Sequence, residues 1–219
     1  MNGEIRELYD YDFVRRQNEP TMFVSRLSAP TLVLGSRQSL DVLTPSTVKT
    51  FPLRRRRGGG GLVLLQPNDL WIDWWIPAND ARWSGDVRVS ALTAGQWWRQ
   101  ELVLLNLGDV VVYDGPLEGD EAHRFVCFAG RGPGEVFVNG QKAVGLTQWR
   151  MREGIFLSTV VHSTTSRRIL DLVRAVPPGL GESLEHHTRS TLGIEDSQVL
   201  VTNLSNHSGP WLVREHILN

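Results

Sequence analysis

Residues 53–65 read LRRRRGGGGLVLL. Four arginines run directly into four glycines, with apolar residues on both sides. A basic run beside glycines is most often a solvated turn. Here Phe51 and Leu53 precede it and Leu62-Val63-Leu64-Leu65 follow it, so the loop belongs inside a sheet. Successive glycine N–H groups can approach an anion closely, and arginines add charge-assisted donors for phosphate or carboxylate. No Gly-Lys-Ser/Thr follows, which excludes a P-loop, and no helix opens after the glycines, which excludes a dinucleotide fingerprint.

Working outward, residues 30–35 (PTLVLG) read as a strand ending at Gly35, and residues 48–57 as a second strand feeding the glycines. Residues 62–65 and 70–76 read as strands joined by the turn Pro67-Asn68-Asp69. The first 30 residues are polar, with a short helix expected near 10–18. Helical spacing predicts a helix over 89–105, with Ser90 as N-cap and Gly108 as the stop. A second β block follows at 109–113, 125–128, 135–138, 143–149 and 155–161. Asn139-Gly140 is a strong hairpin signal within it, because both residues tolerate positive φ. Helices over 166–175 and 180–192, split by Pro177-Pro178, lead to a tail with one more strand and a short helix. Strands in two blocks without regular βαβ alternation predict an α+β fold, a largely antiparallel mixed sheet packed with helices. No linker divides it, so 1–219 reads as a single domain.

Composition narrows the function. The chain has 219 residues, 23 Lys+Arg, 24 Asp+Glu and a formal charge of −1. A general nucleic-acid binder would be basic, so no nucleic-acid partner is expected. No apolar run is long enough to span a membrane, and the N-terminus has no signal-peptide h-region. One cysteine excludes an internal disulfide and a Cys-cluster zinc site. It also suits a reducing cytoplasm. The eight tryptophans read first as core or pocket wall.

A second constellation spans residues 127–148, CFAGRGPGEVFVNGQKAVGLTQ. It holds the single cysteine, a Gly/Pro-rich loop, the hairpin and Lys142. An isolated cysteine is usually a small buried hydrophobe, but Cys127 stands at a predicted strand end, where catalytic groups are exposed. If Lys142 faces inward, it needs an anionic partner; facing outward, it is a turn-exit lysine. His123, four residues before Cys127 in an expected strand, lies about 13 Å away and cannot form a dyad with it. His186-His187 reads as helix surface. His162 and His207 show no partner pattern, and no metal ligands are assigned.

Together these segments resemble the biotin/lipoate protein ligase superfamily, in its lipoate–protein ligase and octanoyltransferase branch. That branch shows Arg-Arg-x-Ser/Thr-Gly-Gly-Gly-x-Val, matched by residues 55–63 except that Gly58 replaces the hydroxyl residue. Upstream, Gly35-Ser36-Arg37-Gln38-Ser39 is similar to the branch's Gly-Arg-x-Gln-Asn. Downstream, residues 140–148 keep Gly140, Lys142, Gly145 and Gln148 of Gly-x-Lys-x-x-Gly-x-Ala-Gln, with Thr147 at the alanine. The three segments occur in family order.

The resemblance implies a sheet that holds an acyl chain in a tunnel. Cys127 and Lys142 would be catalytic. Arg56, Gly59, Gly60, Gly61, Arg37, Gln38, Gly145, Thr147 and Gln148 would bind the acyl or adenylate group. In the cysteine-dependent octanoyltransferases, a Cys-Phe fifteen residues before the motif lysine accepts the acyl group, and Cys127-Phe128 stands there. Glu135 fits the acidic position between them. A free thiol titrates near 8.5, and a lysine beside it would favour the thiolate. The leading expectation is octanoyl or lipoyl transfer through a Cys127 thioester to a lipoyl-domain lysine. The alternatives are an ATP-dependent lipoate–protein ligase and a non-catalytic acyl- or adenylate-binding relative. The transferase needs no tightly bound cofactor; the ligase would use ATP and Mg with lipoate or octanoate. Partners would be acyl carrier protein, or the lipoyl domains of 2-oxoacid dehydrogenases or the glycine cleavage protein. The residues after His162 are too few for the C-terminal accessory domain common in bacterial lipoate ligases, which favours the transferase.

Overall fold

The computed structural model describes residues 5–119, 121–163, 166–187, 194–207 and 209–218. The chain runs through β1 (Arg6–Glu7), α1 (Tyr11–Val14), β2 (Thr21–Leu27), β3 (Thr31–Leu34), α2 (Pro45–Thr50), β4 (Leu53–Arg55), β5 (Val63–Leu65) and β6 (Leu70–Pro77). There follow α3 (Val87–Leu104), β7 (Val110–Val112), α4 (Glu121–Phe125), β8 (Val136–Val138), β9 (Gln141–Met151) and β10 (Gly154–Val161). The last described elements are α5 (Leu180–His187), α6 (Ile194–Asn206) and β11 (Leu212–Leu218).

Two mixed sheets result. The larger has seven strands in the order β11-β2-β6-β10-β9-β8-β7, antiparallel except where β11 joins β2. The smaller has four, in the order β1-β4-β3-β5. The α+β expectation holds, with two sheets where one was expected.

β6 explains the layering. All eight of its residues are buried, because both faces are covered. Ile72, Trp74 and Ile76 join a core with Trp97, Trp98 and Leu102 of α3 and Leu200 and Leu204 of α6. Trp71 and Trp75 face a second core shared with Leu32, Leu34 and Leu64 of the smaller sheet. The functional segments lie in this second, inter-sheet layer.

Several boundaries differ from expectation. Residues 48–50 are helical, because Thr44 caps α2 with its hydroxyl accepting from Thr47 N at 3.2 Å and Pro45 stands in the first turn. Only Leu53–Arg55 of the expected 48–57 strand is extended. The cap of α3 is Asp86, whose Oδ1 accepts from Arg88 N at 2.7 Å. Ser90 instead donates from Oγ to Asp86 O at 3.0 Å. The expected strand 125–128 is the end of α4, a single parallel bridge between Val126 and Leu62, and the short 3-10 turn Cys127–Ala129. Residues 166–172 form a 3-10 helix rather than the start of an α-helix. The expected helix 180–192 is seen as α5, and its last five residues lie outside the described residues. Strand β2 was missed altogether. The Asn139-Gly140 turn is as expected, with φ of 51° and 80°.

The tryptophan layer carries a stability prediction. Trp98 is fully buried, and its Nε1 donates to Thr159 Oγ1 at 3.0 Å. Trp98→Ala should cost about 3–5 kcal/mol. Trp83→Ala, at a position 37 % exposed, should stay within about 0.5 kcal/mol. Urea denaturation of the two variants reads the difference; equal midpoints would contradict this layering.

Candidate active site

The glycine loop is held by close backbone approaches. A Cβ on Gly35, at the end of β3, would meet Gly60 O at 2.1 Å. One on Gly61 would meet Phe125 O at 2.6 Å. Gly60 itself has a φ of +89°, which a residue with a side chain rarely adopts. The loop is thus pinned between β3 and the end of α4.

The arginines do not reach out to a ligand as their sequence suggests. Arg56 is 2 % exposed. Its Nε donates to Gly59 O at 3.1 Å, and one terminal nitrogen donates to Gly59 O at 3.0 Å and Gly61 O at 2.6 Å. Arg55 donates to Gly35 O and Gln38 O at 3.0 and 2.7 Å. Arg57 pairs with Glu7 at 3.0 Å. These three are clamps for the loop and its neighbours. Burial pushes the Arg56 pKa down from the usual arginine range.

Thr147 bears on the departure at Gly58. A Cβ there would lie 2.7 Å from Thr147 Oγ1. The Thr147 hydroxyl donates to Gly59 O at 3.0 Å. The hydroxyl absent at position 58 therefore arrives from β9, and the two departures from the motif occupy one volume.

Lys142 is 1 % exposed, so its side chain faces inward. Its Nζ pairs with Glu135 Oε2 at 2.7 Å and donates to Cys127 O at 2.8 Å. Gly132 N also donates to Glu135 Oε2 at 2.7 Å. Burial raises the Glu135 pKa, against the pull of the Lys142 ammonium. Cys127 is half-buried. Burial pushes its thiol above the ordinary value; Lys142 and Arg56 pull it down but do not win. Burial and the two cations thus act on the thiol in opposite directions.

These groups open onto one cleft of about 790 Å³. Gly59, Gly60, Gly61, Cys127, Glu135 and Lys142 line it, with Arg37, Gln38, Thr147 and Gln148 on its walls. Gln38 is fixed there by donating to Phe125 O at 3.0 Å, and Gln148 by donating to Val87 O at 2.9 Å. Arg124 and Arg131 add positive charge. Arg56 and Gly145 instead line a narrow slot that shares Cys127 and Thr147 with the cleft. Gly145 is required beside it, since a Cβ would sit 2.9 Å from the Phe128 ring.

Sequence reasoning missed the buried polar groups behind the site. Asp73 is fully buried on β6 and accepts from Trp71 Nε1 at 2.6 Å. Burial lifts its pKa to about 7. His162 pairs with Asp69 at 2.8 Å, and His207 with Glu101 at 2.6 Å. Their partners lie 93 and 106 residues away, beyond any local pattern. The side chains of His123, His186 and His187 lie outside the described part of the structure. The backbone at His123 is helical, not extended.

No family model and no curated protein matches this sequence. Solved structures do, and they define the fold as that of lipoate–protein ligase catalytic domains. One is lipoate-protein ligase A bound with ATP: TM-score 0.71 at 17 % identity, covering 100 % of this chain and 90 % of that one. Another is a bi-partite lipoate protein ligase of Thermoplasma acidophilum, studied with its E2 lipoyl domain: TM-score 0.69, 16 % identity, 100 % and 88 % coverage. A third is a P. falciparum protein in complex with lipoate: TM-score 0.59, 14 % identity, 92 % and 54 % coverage.

Two measurements test the site. Glu135→Gln alone should cost about 3–5 kcal/mol, because it leaves a buried ammonium without its anion. Glu135→Gln/Lys142→Met should cost clearly less; if the double variant is the worse of the two, the ion pair is not the controlling contact. Asp73 gives a pH signature. The unfolded chain loses this proton near 3.8 and the folded protein near 7, so the folded state binds more protons in between. Its contribution makes stability fall as pH rises from about 4 to about 7 and then level off. Asp73→Asn should remove that slope in denaturation curves recorded across the window.

Proposed function

We propose that this chain activates a carboxylic acid as an acyl-adenylate and passes the acyl group to a lysine of a partner protein, as lipoate–protein ligases do. The observation that carries the reading is the shared cleft. A buried lysine, a pinned glycine loop and an arginine-lined rim converge on it in a ligase fold. The acid's carboxylate attacks the α-phosphorus of ATP, forming the mixed anhydride and releasing pyrophosphate. The partner's lysine amine then attacks the acyl carbon, loses a proton and expels AMP.

Lys142 has three N–H donors, and two are taken by Glu135 and Cys127 O. The third is left for the acyl carbonyl or the bridging phosphate, where developing negative charge needs it most. Arg37, Arg124 and Arg131 suit the phosphates. Among the described residues no three His, Cys, Asp or Glu side chains converge, so magnesium would ride on the nucleotide's phosphates.

Two considerations favour this reading over the transferase expected at first. The Cys127 thiol is pushed toward its neutral form. Chain length also does not discriminate, because the ligase chains resembled are themselves covered to about nine-tenths. The thioester route keeps one point in its favour: Cys127 lines both the cleft and the slot.

The acceptor we infer is an acidic lipoyl domain, with Arg131 on the cleft rim to steer it. Arg150 is less suited, since it donates to Ser90 Oγ and Gln148 Oε1 at 3.0 and 3.1 Å. Action in the cytoplasm fits such a partner. No described helix is long and apolar enough to cross a membrane.

Intact-mass spectrometry of a lipoyl domain after incubation with enzyme, ATP, magnesium and lipoate or octanoate tests the reading. A parallel arm replaces acid and ATP with octanoyl-acyl carrier protein. Glu135→Gln/Lys142→Met should lower ATP-dependent acylation by about 100-fold or more, while Cys127→Ala should retain it. Acylation only from the carrier protein, lost in Cys127→Ala and accompanied by a hydroxylamine-labile adduct, would replace the ligase by the transferase.

A further inference from the structure

At the mouth of the cleft stands a lip, the turn between β7 and α4, where Leu117 and Glu118 line the cavity. The turn is braced on three sides. The Tyr113 hydroxyl donates to Pro116 O at 2.9 Å, Arg88 pairs with Asp114, and Glu118 and Arg131 exchange backbone hydrogen bonds at 2.9 and 3.3 Å. Leu117 is nevertheless 75 % exposed. An exposed leucine alone says little, but this one is carried on a fixed backbone at the entrance to the site. It lies against Gly132, where a Cβ would sit 3.4 Å from Leu117 Cδ1. Gly132 N in turn donates to Glu135 Oε2, the oxygen that pairs with Lys142. A short chain of contacts thus joins the lip to Lys142.

The charges around the cleft suit its two substrates unequally. Arg37, Arg124 and Arg131 favour phosphates and repel an incoming lysine ammonium. Among the described residues the carboxylates lining the cleft are Glu118 and Glu135. Glu135 is buried and neutralised by Lys142. Glu118 is exposed, and among the described residues no cation stands within ion-pairing distance of it. Its neighbour across the bridge, Arg131, reaches instead over the Phe137 ring, 5.2 Å from the centroid. Glu118 is thus the carboxylate that can receive an ammonium approaching the acyl carbon.

Resting on the acyl-transfer reading above, we propose that this lip is the docking point of the acceptor domain. Leu117 packs on apolar surface beside the acceptor lysine. Glu118 pairs with that lysine's ammonium and guides it past the arginines. Arg131, on the same edge, meets acidic residues flanking the lysine. Because the turn is already braced, docking requires little ordering of it.

The test separates acid activation from docking. Pyrophosphate exchange and hydroxylamine trapping of the acyl-adenylate, with lipoate or octanoate, need no acceptor protein; acylation of a lipoyl domain does. Both positions are exposed, so the variants should fold. Leu117→Ser should raise the KM for the lipoyl domain about tenfold, through loss of one buried leucine contact, with exchange and hydroxamate formation within about twofold of wild type. Glu118→Gln should raise that KM about fivefold and flatten its salt dependence, while Glu118→Asp keeps most of the wild-type value. A lipoyl domain with methionine in place of its acceptor lysine serves as a binding probe. It should still bind Leu117→Ser more weakly than wild type, but no longer distinguish Glu118→Gln from wild type. Equal acceptor KM in wild type and Leu117→Ser overturns the docking contact. Exchange that falls in step with acylation assigns the lip to the acid or the nucleotide and overturns it as well. A Glu118→Gln effect that persists with the methionine domain refutes the pairing with the lysine. If the wild type gives neither exchange nor hydroxamate, the acyl-adenylate reading fails, and direct titration of the lipoyl domain decides the lip by itself. A dissociation constant raised by Leu117→Ser then supports docking there; equal constants, or no binding, refute it.

Discussion

Between the two sheets, the Arg56 guanidinium holds the carbonyls of Gly59 and Gly61 from below. That bond helps fix the course of a segment whose glycines restrict the backbone least of all residues. With it, the loop crosses the end of β3 so closely that Gly35 can carry no side chain. The same contact places Gly59 O within reach of Thr147, which ties the loop to β9 and hence to Lys142. A charge that looks like a ligand-binding group in sequence is spent on architecture.

The consequence is a site built from buried polar groups on both sides of one loop. Lys142 and Glu135 neutralise one another at the cleft floor, while Arg56, Ser158 and Asp73 lie in and behind the slot. Burying such groups costs free energy unless each finds a partner. The half-buried thiol lines both compartments, and burial raises its pKa.

The chain also shows how a motif can be kept in volume while it changes in letter. Gly58 lacks the hydroxyl of the motif it resembles, and Thr147 carries one where that motif has alanine. Their close approach makes the two departures one exchange. Read singly, each suggests a decayed site. Read together in space, they leave the loop with its hydroxyl contact.

Much of the frame was legible in the residues themselves. The Asn139-Gly140 turn, the largely apolar β10, the long α3 and the glycine loop inside a sheet follow from local chemistry: φ preferences, burial periodicity and chain punctuation. That an inward Lys142 would need an anion was legible in the same way, whereas its inward course was decided by the packing. Local signals failed where neighbouring structure outweighed them. The Thr44-Pro45 cap turned residues 48–50 into helix, and β2 is defined by its pairing with β6 and β11 rather than by its own pattern. The pairs Asp69–His162 and Glu101–His207, the burial that lifts Asp73 to about 7, and the inward course of Arg56 were decided only by the tertiary structure. Each depends on which distant groups share a low-dielectric space. Sequence order records which residues are present; only the packing of the two sheets determines which of them lose water together.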